Sequence, residues 1–98
     1  MKLVQIVPKS GANLGSALKN KELELREKGT TFFKEGKTKW KHVRFPGWIN
    51  ISRAKGGILI AKIQTRKEGT EWQLFSAFIG YLDRHFGDLI DTISIHYR

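Results

Sequence analysis

The chain has 98 residues, no cysteine and a formal net charge of +9 at pH 7. This length fits a single compact domain over residues 1–98. The absence of cysteine excludes disulfide frameworks, thiolate metal sites and cysteine nucleophiles. The apolar runs are far shorter than the roughly 20 residues of a membrane-spanning helix. We therefore expect a cytoplasmic protein that has no membrane partner.

Basic residues are concentrated in the middle of the chain. Residues 28–67 contain eleven Lys or Arg and one acid, Glu35, whereas residues 68–98 contain two Arg and five acids. This segregation favours a face that meets polyanions, most often nucleic acid. An acidic protein is the alternative partner. A lysine-rich surface that protects strand edges from aggregation is the purely structural explanation.

The N-terminal third is predicted to begin with a strand over residues 2–7, which ends at Pro8. Residues 10–20 have the composition of a loop or a short helix. Residues 21–27 alternate between Glu and Leu, which favours a strand over a helix that continues from Leu14.

Glycine-containing turns then separate four further predicted strands, at residues 30–34, 38–45, 48–53 and 57–65. Pro46 and Gly47 favour a type II turn, which suits a tight hairpin poorly, so we expect a looser connection or a bulge there. The strand at residues 57–65 begins with a nearly continuous apolar run. That run predicts a central strand covered on both faces, at least at its start.

The clearest helical pattern covers residues 70–86. Thr70 and Gln73 match a capping box at its start, and Gly87 predicts a left-handed stop at its end. A last strand follows at residues 90–97. An apolar stripe repeats along the helix every three or four residues, at Phe75, Phe78, Ile79, Leu82 and Phe86.

Together these elements predict an α+β fold with two layers. The sheet is mostly antiparallel, twisted and arranged as a meander, and one long helix over about residues 70–86 packs on one of its faces. The C-terminal strand completes the sheet.

The segment at residues 37–48, which contains the strand at residues 38–45, is the most informative one for function. Alternate residues of a strand share a face. If Val43 and Phe45 belong to the core, then Trp40, His42 and Arg44 line the outer face. A positively charged aromatic platform of this kind is typical of single-stranded nucleic-acid binders. The candidate binding residues, on this strand and its neighbours, are Lys37, Lys39, Trp40, Lys41, His42, Arg44, Arg53, Lys55, Lys62, Arg66 and Lys67.

The leading hypothesis is a small basic module that binds nucleic acid with low sequence specificity. The rival hypothesis is a homodimeric interaction or assembly domain, which uses the edge of the last strand or the helix. Trp72, Leu74 and Tyr81 widen the apolar arc of the helix beyond what one sheet face needs, and they are the candidate interface residues.

A small metal-independent enzyme is the third hypothesis, which would need a concave pocket that holds His42 or His96 near a second titratable group. The sequence has no glycine-rich phosphate loop, no nucleophile elbow and no paired-histidine helix. We therefore predict no catalytic residue, no metal site and no cofactor.

Overall fold

The computed structural model describes residues 1–29 and 31–98. Thr30, the first residue of the strand predicted at 30–34, lies outside the described residues. Within the described part, the helices are α1 (Leu14–Arg26) and α2 (Glu71–Phe86). The strands are β1 (Lys2–Pro8), β2 (Phe32–Lys34), β3 (Lys39–His42), β4 (Trp48–Arg53), β5 (Leu59–Gln64) and β6 (Ile90–Tyr97).

The strands form one antiparallel sheet in the order β2-β3-β4-β5-β1-β6. Strands β2 to β5 are the predicted meander, since each pairs with the next along the chain. Strand β1 then lies between β5 and the C-terminal strand β6. The predicted α+β class is confirmed, with an antiparallel sheet and a helix on one of its faces.

Both helices cover the same face of the sheet, which we call the helix face. The ring of Phe32 lies 5.9 Å from that of Phe78 and 5.1 Å from that of Tyr81, both in α2. The guanidinium of Arg53 lies directly against Gly15 in α1. The side chains of the sheet that are buried on the helix face are Val4, Ile6, Phe32, Trp40, Ile49, Leu59, Ala61 and Ile63.

The opposite side of the sheet, which we call the open face, carries no helix within the described residues. Strand alternation and the pairing register assign its side chains. They are Leu3, Gln5, Val7, Phe33, Lys39, Lys41, Trp48, Asn50, Ser52, Ile60, Lys62, Gln64, Thr92, Ser94 and His96.

The strand predicted at residues 21–27 is wrong, because this segment is the second half of α1. Leu14, Leu18 and Glu22 recur every fourth residue and are buried. The Glu22 carboxylate accepts hydrogen bonds from the Arg26 guanidinium one turn later, which lets the buried charge remain in the helix. Helical spacing therefore outweighs the short Glu-Leu alternation.

The ends of α2 also differ from the prediction. The Thr70 hydroxyl donates to the Lys67 carbonyl at 2.6 Å and does not cap the helix. Gly87 has a φ of −53°, so the chain continues into a short 3₁₀ turn, Gly87–Leu89, and not into a left-handed stop. The loose connection predicted around Gly47 is confirmed, since residues 43–47 separate β3 from β4.

Strand β5 lies inside the sheet as predicted, but it is fully covered on the helix face only. Ile60 is half-buried on the open face, and Lys62 beside it is exposed. Cover on the open face is therefore partial near the start of the strand, at Ile60, and does not extend to Lys62. In the described part of the chain, neither helix has the length and apolarity that a membrane crossing requires.

Candidate functional site

A basic groove on the open face surrounds the indole of Trp48. The Lys39 ammonium and the Arg66 guanidinium each lie 5.5 Å from the centre of the Trp48 ring system. This distance is within the range of a cation–π interaction. The groove has a volume of about 320 Å³. We call it the Trp48 groove, and its lining residues are Lys39, Lys41, Pro46, Gly47, Trp48, Thr65, Arg66 and Lys67.

The pairing of β3 with β4 places the lysines and the indole on one face. Lys39 lies directly opposite Asn50, and Lys41 and Trp48 share that face by alternation. Ile49, the next residue after Trp48, is fully buried on the helix face. Burial of Ile49 therefore fixes the direction of the Trp48 side chain toward the open face.

The turn between β5 and α2 holds the other wall of the groove. The Thr65 hydroxyl accepts a hydrogen bond from the Lys67 amide at 3.1 Å. The Thr70 hydroxyl donates to the Lys67 carbonyl, which closes the turn on its other side. These bonds hold Arg66 and Lys67 beside the indole, so this basic wall belongs to an ordered turn.

The groove keeps a positive charge after its internal ion pairs are counted. The Glu35 carboxylate lies 3.6 Å from the Lys39 ammonium and 3.2 Å from that of Lys41. Exposed pairs of this kind contribute only about 0–1 kcal/mol, so an anionic ligand can compete for both lysines. Among the described residues, Arg66 and Lys67 form no ion pair with a carboxylate.

The basic surface continues from the groove across the open face. Asn50 lies between Lys39 and Lys62 in one cross-strand row, which extends through Leu3 to His96. Neighbouring strands are about 4.8 Å apart, so the backbones of the two lysines are separated by roughly 10 Å. The charge therefore forms a track and not a single point.

Trp40 lies on the helix face, contrary to the prediction. Its side chain is only 5% exposed, and it packs in the core opposite Ile49. The alternation predicted for this strand is present, but its phase is reversed. The strand ends at His42, so Val43 is a loop residue that is 62% exposed and not a core residue. Trp40 is consequently inaccessible for stacking against a ligand.

His42 also lies on the helix face, where it organises the turn after β3. Its Nδ1 accepts hydrogen bonds from the Arg44 amide at 3.0 Å and the Phe45 amide at 3.2 Å. Its ring packs against Phe32 at 4.8 Å and stacks on Phe45 at 4.6 Å. Burial lowers the pKa of His42, and the charge of Arg44 lowers it further.

The remaining predicted binding residues are divided among three parts of the surface. Lys37 and Arg53 line a second cleft with Lys19 and Lys34, on the helix side of the sheet. Arg44 and Lys55 are exposed in connections outside the open face. The predicted residues that lie together on the open face or in its groove are Lys39, Lys41, Lys62, Arg66 and Lys67.

Two of the three candidate interface residues belong to the core. Leu74 is fully buried and lies beside Gly47. Tyr81 is only 5% exposed and packs against Phe32 and Phe86. They are therefore removed from the candidate interface. Trp72 is 60% exposed and keeps that candidate role.

The prediction omitted Trp48 and Phe33, which are the aromatic residues on the basic part of the open face. Phe33 is half-buried and lies directly opposite Lys41. The lysines on both sides of Trp40 carry the signal that would have found them. Lysine is almost never fully buried unless paired, so Lys39 and Lys41 should have been assigned to solvent and Trp40 to the core.

Comparisons with protein-family models, with curated proteins and with solved structures give no match. The function is therefore argued from the residues of the open face. Within residues 1–29 and 31–98, no group of three His, Cys, Asp or Glu side chains is placed to hold a metal ion.

Proposed function

We propose that this chain is a nucleic-acid-binding module that holds a single strand on the open face. The observation that carries the proposal is the Trp48 groove, in which Lys39 and Arg66 lie beside an accessible indole. An aromatic ring flanked by cations matches the two parts of a nucleotide, the base and the phosphate. The groove thus supplies in one place the chemistry that the basic middle of the chain suggested.

Different residues of the groove contact different parts of a nucleotide. A base stacks on Trp48, an interaction of about 1–3 kcal/mol per base in proteins of this kind. Lys39, Lys41 and Arg66 contact the phosphates on either side, and Lys62 extends the track across β5. Each base presents a π-face and each nucleotide a phosphate, so this mode of binding is tolerant of sequence.

A single strand fits this arrangement better than a duplex. The bases of a duplex are stacked on each other, so their faces are inaccessible to a protein side chain. Trp48 is half-buried and lines the groove, so a base must leave its stack to pack against the ring. We therefore expect tighter binding to an unpaired strand.

Fluorescence anisotropy with a labelled oligonucleotide, as a single strand and as a duplex, tests the proposal. Trp48→Ala should weaken single-strand binding by roughly 10-fold or more, as expected for one lost stacking contact. Trp72→Ala is the matched control, because this tryptophan is exposed on α2 and lies outside the groove. It should bind as the wild type does.

A salt series in the same assay tests the phosphate track. Lys62→Gln should reduce the slope of log affinity against log salt by about one, as expected for one lost phosphate contact. Lys28→Gln removes the same charge from the end of α1 and should leave the slope unchanged. Failure of the wild type to bind at low salt would overturn the proposal. If polyglutamate displaces the labelled oligonucleotide as well as an unlabelled oligonucleotide does, the result would instead favour an acidic protein partner.

A further inference from the structure

The two edges of the sheet differ in length and in protection. Strand β2 forms one edge and has three residues, whereas β6 forms the other and has eight. Short strands, lysines, prolines and bulges are the usual protection against edge-to-edge pairing. Strand β6 contains no Lys or Pro, and its pairing with β1 is irregular only near its beginning, at Asp91. Most of this edge is therefore competent to pair with another strand.

The hydrogen bonds of β6 show which of its backbone groups face outward. The Arg98 amide donates to the Met1 carbonyl at 3.0 Å, so Arg98 is bonded toward β1. In an antiparallel ladder, successive residues alternate between the two sides of the strand. The amide and carbonyl groups of Ile93, Ile95 and Tyr97 therefore face the outer edge, where no strand covers them within the described residues.

The same three residues share the helix face, where Ile93 is half-buried against the core and the other two are exposed. Ile95 lies opposite the buried Val4, yet it is 38% exposed. Tyr97 is 72% exposed. An edge that presents both free backbone groups and apolar side chains fits another strand with the same pattern.

The distribution of charge favours a second copy of β6 as the strand that pairs with this edge. Residues 68–98 have a net charge of −3, so the strong positive charge of the chain lies elsewhere. Asp88 lies in the 3₁₀ turn before β6, Asp91 is the second residue of the strand, and Arg98 follows its end. Antiparallel pairing of two copies places the acidic start of one strand beside the basic end of the other, at both ends of the interface.

We infer that two copies of this chain associate through antiparallel pairing of their β6 edges. A twofold axis at Ser94 places Ile93 opposite Ile95 of the second copy, on the helix face and twice by symmetry. The two sheets then become one continuous sheet. This axis is perpendicular to the sheet, so both open faces lie on the same side. The association does not depend on the proposed function.

Light scattering on a dilution series of the full chain tests this inference. The wild type should change from twice 11.3 kDa toward 11.3 kDa as it is diluted. Ile95→Lys should weaken the association by at least about 10-fold, because it places two ammonium groups near each other at the paired edge. Val43→Lys adds the same charge at an exposed residue of the β3–β4 loop and is the matched control. It should associate as the wild type does.

Ile95→Pro gives a second test that leaves the pairing with β1 intact. The substitution removes an amide that faces outward, so it should weaken the association in the same dilution series. The monomer should stay folded, because proline is tolerated at such positions of edge strands. Hydrogen exchange of the wild type needs no substitution. The amides of Ile93, Ile95 and Tyr97 should be protected at high concentration and should exchange on dilution. A wild type of 11.3 kDa at every concentration, or unprotected outer amides in a dimer, would overturn the inference.

Discussion

The two faces of the sheet place the same kinds of residue in opposite environments. Trp40 and Trp48 lie on adjacent strands, yet Trp40 is 5% exposed on the helix face and Trp48 lines a groove on the open face. The cations Lys39 and Arg66 lie beside the ring of Trp48. Trp40 instead belongs to the buried core, although Lys34 lies opposite it on the neighbouring strand. The contrast teaches that the register of β3 and β4, and not residue type, decides which aromatic ring is structural and which is accessible to a ligand.

The largest effect expected from this contrast is on stability. Trp40→Ala removes a buried ring from the core and should lower the free energy of unfolding by about 3–5 kcal/mol. Trp48→Ala should lower it by only about 1 kcal/mol, because that ring is already partly in water. Urea denaturation of both variants measures the difference. Equal losses would contradict the assignment of the two rings to different environments.

A smaller loss of stability is expected from substitution of Gly47, which ends the β3–β4 connection beside the Trp48 groove. Gly47 has a φ of +103°, and a Cβ there would lie 2.4 Å from the Gln64 carbonyl oxygen. Gly47→Ala should therefore cost about 1–3 kcal/mol of stability through backbone strain and displacement of the loop from β5. Thermal denaturation measures this loss.

Gly11→Ala is the control for backbone conformation alone. Gly11 has a φ of +84°, but a Cβ added there would meet no atom of the described residues within 4 Å. Its substitution should cost less than that of Gly47. If the two variants lose the same stability, close approach to β5 does not determine the choice of glycine at residue 47.

Much of the fold was predictable because its signals are local. The apolar alternation of β1 and β6, the stripe of α2 and the glycine-containing turns of the meander all appear in the structure. Helix α1 was missed in its second half because its buried face contains Glu22, whose carboxylate is paired with Arg26. A charged residue at a helix-core position conceals the helical period when hydrophobicity alone is considered.

The candidate site was predicted only in part, for a different reason. The basic strand was identified, but a strand with polar and apolar residues on both sides does not reveal its own phase. That phase depends on Ile49 and on the partners of β3, which lie further along the chain. The position of Trp48 between Lys39 and Arg66 likewise depends on the pairing of β4 with β5 and on the turn that follows.

The smallest expected effect is a change of stability with pH that depends on His42. This residue ends β3, and its side chain lies on the helix face. Its folded pKa is lowered below the usual 6.5, first by burial and then by Arg44. The folded state therefore binds this proton less readily than the unfolded state. Its contribution to stability is complete above pH 6.5 and is lost as the pH falls toward the folded pKa. The free energy of unfolding should decrease over that interval.

His42→Asn separates this titration from the hydrogen bonds of the turn. The Asn Oδ1 accepts from the same two backbone amides as Nδ1 does, but it carries no proton at any of these pH values. The variant should therefore show a shallower decline in stability on acidification, measured by urea denaturation at several pH values. Part of the decline should persist, because burial and the charges of Lys21 and Arg84 also lower the pKa of His85.

His42→Ala, which loses the acceptor, should be less stable than His42→Asn throughout the neutral range. An identical pH slope in the wild type and His42→Asn would show that this imidazole contributes to the helix face through packing alone.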